Sequence, residues 1–368
     1  MVADLVPERR RDRVPAHRRR GRRPRVSPAH RHRAAVDARQ AGEPDRPGRP
    51  RSRLPPELVP PARPAPKRLT LAGRREPVAI AVRPAYLERL AARSAATGTV
   101  LCLGLDPDPE GLPAGFSRDV GGVEAFARLV LEAALPFAAA VKPNLAFFEA
   151  FGSAGLGVLE RLRERIPPEV PVILDAKRGD IGSTAARHAV ALFDHLGGDA
   201  VTASPYLGSG ALRPLLERED RFVYVLCRTS NPGASEFQDL RVADRDDPAE
   251  PMPLYRRIAR DVATWGPGGT VGLVVGATAS TELRAVRTAG PGLAFLVPGV
   301  GAQGGDIDPV LQDGPAVEPP AGGRPGGGLL VNVSRGIAGA AVAPAPGDLG
   351  ERVAIAAREW SLKLPVLS

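Results

Sequence analysis

The chain has 368 residues, 43% hydrophobic and 25% charged, with a formal charge of +9, two cysteines and no apolar run long enough to span a bilayer. That length allows one large domain or two smaller ones. Cys102 and Cys227 each sit inside an apolar run, which argues against a disulfide framework or a cysteine-built metal site and for a reducing, cytoplasmic setting.

The basic charge is local. Residues 1–80 hold 22 Lys/Arg against 8 Asp/Glu, a net +14, which leaves the other 288 residues at −5. This arm is Arg, Pro and Ala with little apolar content, including an Arg-rich run at 18–25, so it cannot bury enough surface to offset chain entropy. We expect it to be disordered and without a function of its own, as upstream sequence read in frame ahead of the true start. The alternatives are a grip on nucleic-acid phosphates or an address signal. No aromatic residue precedes Tyr86, so the arm has nothing to stack on bases, and it lacks the apolar core of a secretory leader. The catalytic domain is expected over residues 81–368.

A leading helix is predicted at 84–95, followed by short apolar runs alternating with amphipathic segments, the pattern of parallel β/α units. The runs fall at 100–105, 138–141, 170–174, 200–203, 222–227, 271–275, 294–297 and 329–333. Helical patterns lie between them at 123–135, 156–166, 184–196 and 254–264, and a trailing one at 349–360. Eight such units predict a (β/α)8 TIM barrel. The Gly/Pro-rich stretch 313–328 fits least, because a helix belongs between strands seven and eight, and it reads as a loop insertion.

In that architecture the chemistry sits on the loops at the carboxyl ends of the strands. Strand one ends in Asp106, strand two in Lys142, strand three in Asp175 and Lys177, and strand five in Thr229, Ser230 and Asn231. Strand seven ends in Pro298, Gly299 and Gln303, and strand eight in Ser334 and Arg335. Strand residues i and i+2 share a face, so Asp175 and Lys177 project together while Asp180 lies beyond, on the loop. Incidental turns would not set ionisable groups at one end of so many strands, which makes Asp175 and Lys177 catalytic candidates. His188 and His195, both on the helix after strand three, read as helix-face residues, and no His/Cys/acid cluster has metal-ligand spacing.

Residues 299–304, GVGAQG, match G-x-G-x-x-G. A dinucleotide fold places that motif after its first strand with an acid at the end of the next, whereas here it follows the seventh run and the next ends in Arg335. A phosphate cradle between the last two loops, with Gln303 and Arg335 as ligands, suits the position better.

With these residues assembled, the chain from about residue 84 onward resembles orotidine 5′-phosphate decarboxylases, in particular their longer bacterial branch. The carriers are VKPNLAFFE, DAKRGDIGST, SPYLG, CRTSNPGA, VPGVGAQGGD and VNVSRGI, in that family's order. The resemblance implies loss of CO2 from orotidine 5′-monophosphate to give UMP, the last step of de novo pyrimidine synthesis, without metal or organic cofactor. It further implies a charged tetrad of Lys142, Asp175, Lys177 and Asp180, with Lys177 as proton donor to C6 of the pyrimidine. Asp180, Ile181 and Thr184 would reach a neighbouring subunit's site in a homodimer. Asp106 and Lys142 would hold the ribose, Ser230 and Pro298 the base, and Gln303 and Arg335 the phosphate. Two rivals stand beside this reading. One is a Mg-dependent phosphosugar decarboxylase or aldolase on the same kind of barrel; the other is an RNA-associated protein that uses the arm.

Overall fold

The computed structural model describes residues 85–243, 250–301, 304–343 and 346–367. The arm expected over residues 1–80 lies outside them. The strands in chain order are β1 (Leu101–Leu105), β2 (Ala140–Pro143), β3 (Ile173–Arg178), β4 (Ala200–Ala203), β5 (Phe222–Arg228), β6 (Arg241–Val242), β7 (Met252–Pro253), β8 (Val271–Val275), β9 (Ala294–Pro298) and β10 (Leu330–Val333). Eight of them form one all-parallel sheet in the order β2-β1-β10-β9-β8-β5-β4-β3. Parallel bridges from Val141 to Val172 and from Asn144 to Asp175 join its two edges, so the sheet is a barrel without a free edge. All eight predicted runs are strands. The two-residue antiparallel pair β6–β7 was not anticipated.

The runs read as near-continuous apolar stretches because both of their faces are covered. Outward residues such as Leu103, Val141, Leu174, Val201, Val225, Leu273, Phe295 and Val331 pack under the helices. Inward residues, among them Cys102, Ala140, Ala200, Phe222, Tyr224, Val274, Leu296 and Leu330, fill the barrel. Both cysteines are free and buried, and burial pushes each thiol up to about 12, so neither is a nucleophile at neutral pH.

The leading helix spans Tyr86–Thr97 and ends on Gly98 in the left-handed region, φ 68°, a conformation that suits glycine at this terminus. It plugs the amino end of the barrel. Tyr86, Leu87 and Leu90 join the interior cluster, the Tyr86 ring stacks on Phe222 at 4.7 Å, and its hydroxyl meets that of Tyr224 at 3.2 Å. Beside the plug, the Arg89 guanidinium donates to the fully buried Asp199 carboxylate at 2.8 Å.

Between β9 and β10 the loop reading of 313–328 stands, but a helix that the sequence did not disclose precedes it. The barrel's helix is present as Ile307–Asp313, capped by the Asp306 side chain, which accepts from the Asp308 N–H. The stretch 313–328 begins at its last residue and continues as turns that close the amino end. There the Ala316 and Val317 N–H groups donate to the carbonyls of Gly327 and Pro291. Arg287 fastens the segment, donating to the carbonyls of Gly290, Leu293 and Gly314 while its guanidinium lies 3.6 Å over the Phe295 ring. Among the described residues no helix is long and apolar enough to cross a membrane.

Candidate active site

The carboxyl ends of β2, β3 and β4 converge on one acid. Asp175 accepts from Lys142 Nζ at 2.8 Å through Oδ2, and from Lys177 Nζ at 2.7 Å and Thr202 Oγ1 at 2.8 Å through Oδ1. Lys142 is buried, whereas the Lys177 side chain is 51% exposed at the mouth. The pleat brings Asp175 and Lys177 to one face, as their i, i+2 spacing predicts. A register irregularity between Leu174 and Arg178 against β4 accompanies the turn of this strand end into the site. Lys177 has φ +48°, the one positive value outside glycine among the described residues. Such a conformation costs about 1–3 kcal/mol and persists where the surroundings impose it. Part of that imposition is visible: Lys177 N–H donates to Thr202 Oγ1 at 2.9 Å.

Burial alone would raise the Asp175 pKa, but Lys142 and Lys177 outweigh it and hold this carboxyl well below the usual range. For Lys142 burial works downward, and the Asp175 and Asp106 carboxylates reverse it to hold the amine up at about 12. Asp175 is therefore an anion and Lys142 a cation throughout the neutral range.

Two adjoining cavities open from this cluster. One, of about 400 Å3, is lined by Lys142, Asp175 and Lys177 together with Thr202, Ser230 and Pro298. Gln238 borders it too, with its side-chain oxygen accepting from the Thr229 N–H at 2.9 Å and so bracing the loop that carries Ser230. The other, of about 160 Å3, lies toward β1, β9 and β10 and is lined by Asp106, Asn332, Ser334 and Arg335, sharing Lys142, Asp175 and Pro298 with the first. Two acceptors here, Asp106 Oδ1 and Asn332 Oδ1, are buried without a hydrogen-bond partner among the described residues, an unusual state for a buried polar atom.

Asp106, Lys142, Asp175, Lys177, Ser230, Pro298 and Arg335 are thus brought together, as the sequence led us to expect. Gln303 lies outside the described residues. Asp180, Ile181 and Thr184 line neither cavity; Asp180 accepts from the Ile181 N–H at 2.7 Å and makes no ion pair among the described residues, while Ile181 is 64% exposed. His188 and His195 also stay out of the site. Sequence reasoning missed Thr202 and Asn332. Nothing in their local pattern marks them; each matters through a neighbouring strand, Thr202 through β3 and Asn332 through Gly104 on β1, where a Cβ would stand 3.0 Å from Asn332 Oδ1.

The family model described as orotidine 5′-phosphate decarboxylase / HUMPS matches residues 99–346. The orotidine 5′-phosphate decarboxylase of Roseiflexus sp. is 44% identical over 76% of this chain and 95% of its own. That of Thermomicrobium roseum is 48% identical over 68% of this chain and 86% of its own. Among solved structures, Leishmania donovani OMP decarboxylase superposes with a TM-score of 0.63 at 38% identity, covering 76% of this chain and 97% of that one.

Proposed function

Because the chain belongs to the orotidine 5′-phosphate decarboxylase / HUMPS family and so converts orotidine 5′-monophosphate to UMP and CO2, the last step of de novo UMP synthesis, we propose that the Lys142–Asp175–Lys177 cluster is where the bond breaks. The observation that carries this reading is one carboxylate holding two amines on its two oxygens at the mouth of a cavity.

When the C6–carboxyl bond cleaves, its electron pair stays on C6, which has no ring position to delocalise it. The Lys177 ammonium sets positive charge where negative charge develops and then gives C6 a proton. Asp175 keeps that amine in place, and Lys142 balances the acid. The ribose supplies hydroxyl donors, which suits Asp106 Oδ1 and Asn332 Oδ1 as buried acceptors without partners among the described residues; Lys142 is the third ribose contact. Ser230 and Pro298 bound the base. Arg335, exposed at the start of the helix Arg335–Val342, takes the phosphate with a guanidinium fork beside free backbone N–H groups, and Gln303 is its companion from the β9 loop. No cofactor enters this chemistry, so turnover that survives EDTA separates it from Mg-dependent phosphosugar relatives.

A homodimer completes the site in this reading, with Asp180, Ile181 and Thr184 acting in the partner's. The exposed apolar residues Ile181, Tyr206 and Leu207, on the loops after β3 and β4, support it, since an uncovered patch of that kind marks an interface. Mixing two inactive homodimers, Lys177→Ala and Asp180→Ala, is the test. Heterodimers regain one intact site, and activity returns; no recovery after proven subunit exchange would place Asp180 in its own subunit's site. The cytoplasm is the compartment we assign, in keeping with two free thiols.

Residues 81–368 are the whole catalytic unit on this reading, supported by a family match that starts at residue 99. A chain without residues 1–78 is expected to keep kcat/KM within about twofold of the full chain, since every group assigned to the site lies between Asp106 and Arg335. A large loss on truncation, or RNA binding that disappears with it, would return the arm to the functional account.

A further inference from the structure

One side chain that lines neither cavity touches both loops of the phosphate end. Trp360 lies near the end of the C-terminal helix Leu349–Lys363 and is half-buried. Its indole Nε1 donates to the Gly336 carbonyl at 3.1 Å. A Cβ on Gly336 would stand 2.8 Å from the same nitrogen, and one on Gly301 would stand 2.9 Å from the ring's Cη2. The indole therefore fills the space next to two glycines in different loops, one after β9 and one in the first turn after β10. Those two loops contribute Pro298, Gly299 and Val300 on one side and Ser334, Arg335 and Gly336 on the other to the smaller cavity.

We propose that Trp360 is a positioning residue for the substrate phosphate: it sets the spacing between the β9 loop and the Arg335 turn from behind, without touching the ligand. The inference rests on our reading of this cavity as the phosphate end. A phosphate held by groups from two loops is bound well only if the loops keep their separation, and a misplacement of about 1 Å at such a site can cost about 100-fold. The backbone of glycine-rich loops does not hold that separation alone, whereas an indole, with only two side-chain torsions, is a rigid spacer. Its N–H fixes the spacer in rotation, because the Gly336 carbonyl accepts from it. Lys363 Nζ lies 5.1 Å from the ring centroid and attracts its face, tying the spacer to the last turn of its own helix.

The test compares orotidine 5′-monophosphate with orotidine, the same nucleoside lacking the phosphate. For Trp360→Ala we expect KM for the nucleotide to rise about tenfold or more with kcat within about twofold, and kcat/KM for orotidine to stay within about twofold. Trp360→Phe, which keeps a ring but loses the N–H, should fall between. The chain has two tryptophans, and Trp265→Phe, on a surface groove away from the site, leaves Trp360 as the sole indole reporter. Its emission should change on titration with UMP and not with uridine, a readout that needs no destabilising variant. Equal losses on both substrates, or emission indifferent to UMP, would overturn the proposal. Arg335→Ala separates the two levels: if it lowers only nucleotide turnover while the Trp360 variants do nothing, the positioning role alone fails. If Arg335→Ala does not discriminate between the substrates either, the phosphate assignment falls and takes this proposal with it.

Discussion

Both ends of the barrel bury an acid between cations, and they finish it differently. At the amino end Asp199 is fully covered and saturated, accepting from Arg89 at 2.8 and 3.3 Å, from the Val172 N–H at 2.9 Å and from Arg221 at 3.4 Å. At the carboxyl end Asp175 is as well supplied, but its surroundings stay open: Lys177 is half exposed on a left-handed backbone, and Asp106 Oδ1 and Asn332 Oδ1 have no partner among the described residues. A closed network commits its charge to architecture. An open one, held by strained backbone and bordered by unpaired acceptors, keeps its charge directed at a cavity, and this is the difference expected between a structural ion pair and the one we propose as catalytic.

The largest expected effect lies at the open end. Lys177→Ala should lower decarboxylation by about 10^4-fold or more, because in the role proposed for Lys177 it removes both the charge that faces C6 and the proton. Binding of UMP, measured by calorimetry, should persist through the phosphate end. Thermal stability should fall only modestly, since alanine keeps the Cβ and with it the left-handed strain, while the ion pair lost from Asp175 involves a half-exposed amine. Near-normal turnover would refute the donor assignment.

The next effect belongs to the closed end and should have the opposite signature. Arg89→Met leaves Asp199 buried with part of its network gone, which costs about 3–5 kcal/mol in comparable buried pairs. A denaturant titration should read that loss, while kcat/KM below the melting transition stays within about twofold of the parent. If Arg89→Met instead cut turnover without unfolding the chain, the two ends would not be separable as architecture and chemistry.

This asymmetry also governs what the sequence disclosed. The strands were legible because two buried faces force continuous apolar runs, and Asp106, Lys142, Asp175, Lys177 and Arg335 were legible because ionisable groups directly after such runs have few structural reasons to be there. Thr202 and Asn332 were not. Each sits inside its run at a position where a small polar residue is ordinary, and each acquires its role from register, Thr202 because β4 lies beside β3 and Asn332 because Gly104 leaves room on β1. The helix Ile307–Asp313 was missed for a local reason. Its seven residues include Pro309 and follow a glycine pair, so its apolar period is too short to read, whereas the longer Leu349–Lys363 helix, capped by Asp348, was found within three residues at its end.

The smallest effect we predict measures how far the open end depends on that invisible register. Thr202 Oγ1 accepts from the Lys177 N–H and donates to Asp175 Oδ1, so one hydroxyl bridges the backbone of the proposed proton donor and the acid that holds it. Valine keeps the shape and the strand preference and removes only the bridge. The Lys177 N–H then loses its acceptor at a backbone conformation that already costs free energy, and Asp175 loses one of three donors. A net hydrogen bond of about 1–1.5 kcal/mol corresponds to roughly tenfold, so kcat for Thr202→Val should fall by about that factor. KM should change by less than about twofold, because both atoms the hydroxyl bonds belong to the protein, and Thr202→Ser should restore most of the loss. A valine variant with parental kcat would mean that the left-handed turn at Lys177 is held by β3 alone, and that the open end is built more like the closed one than its geometry suggests.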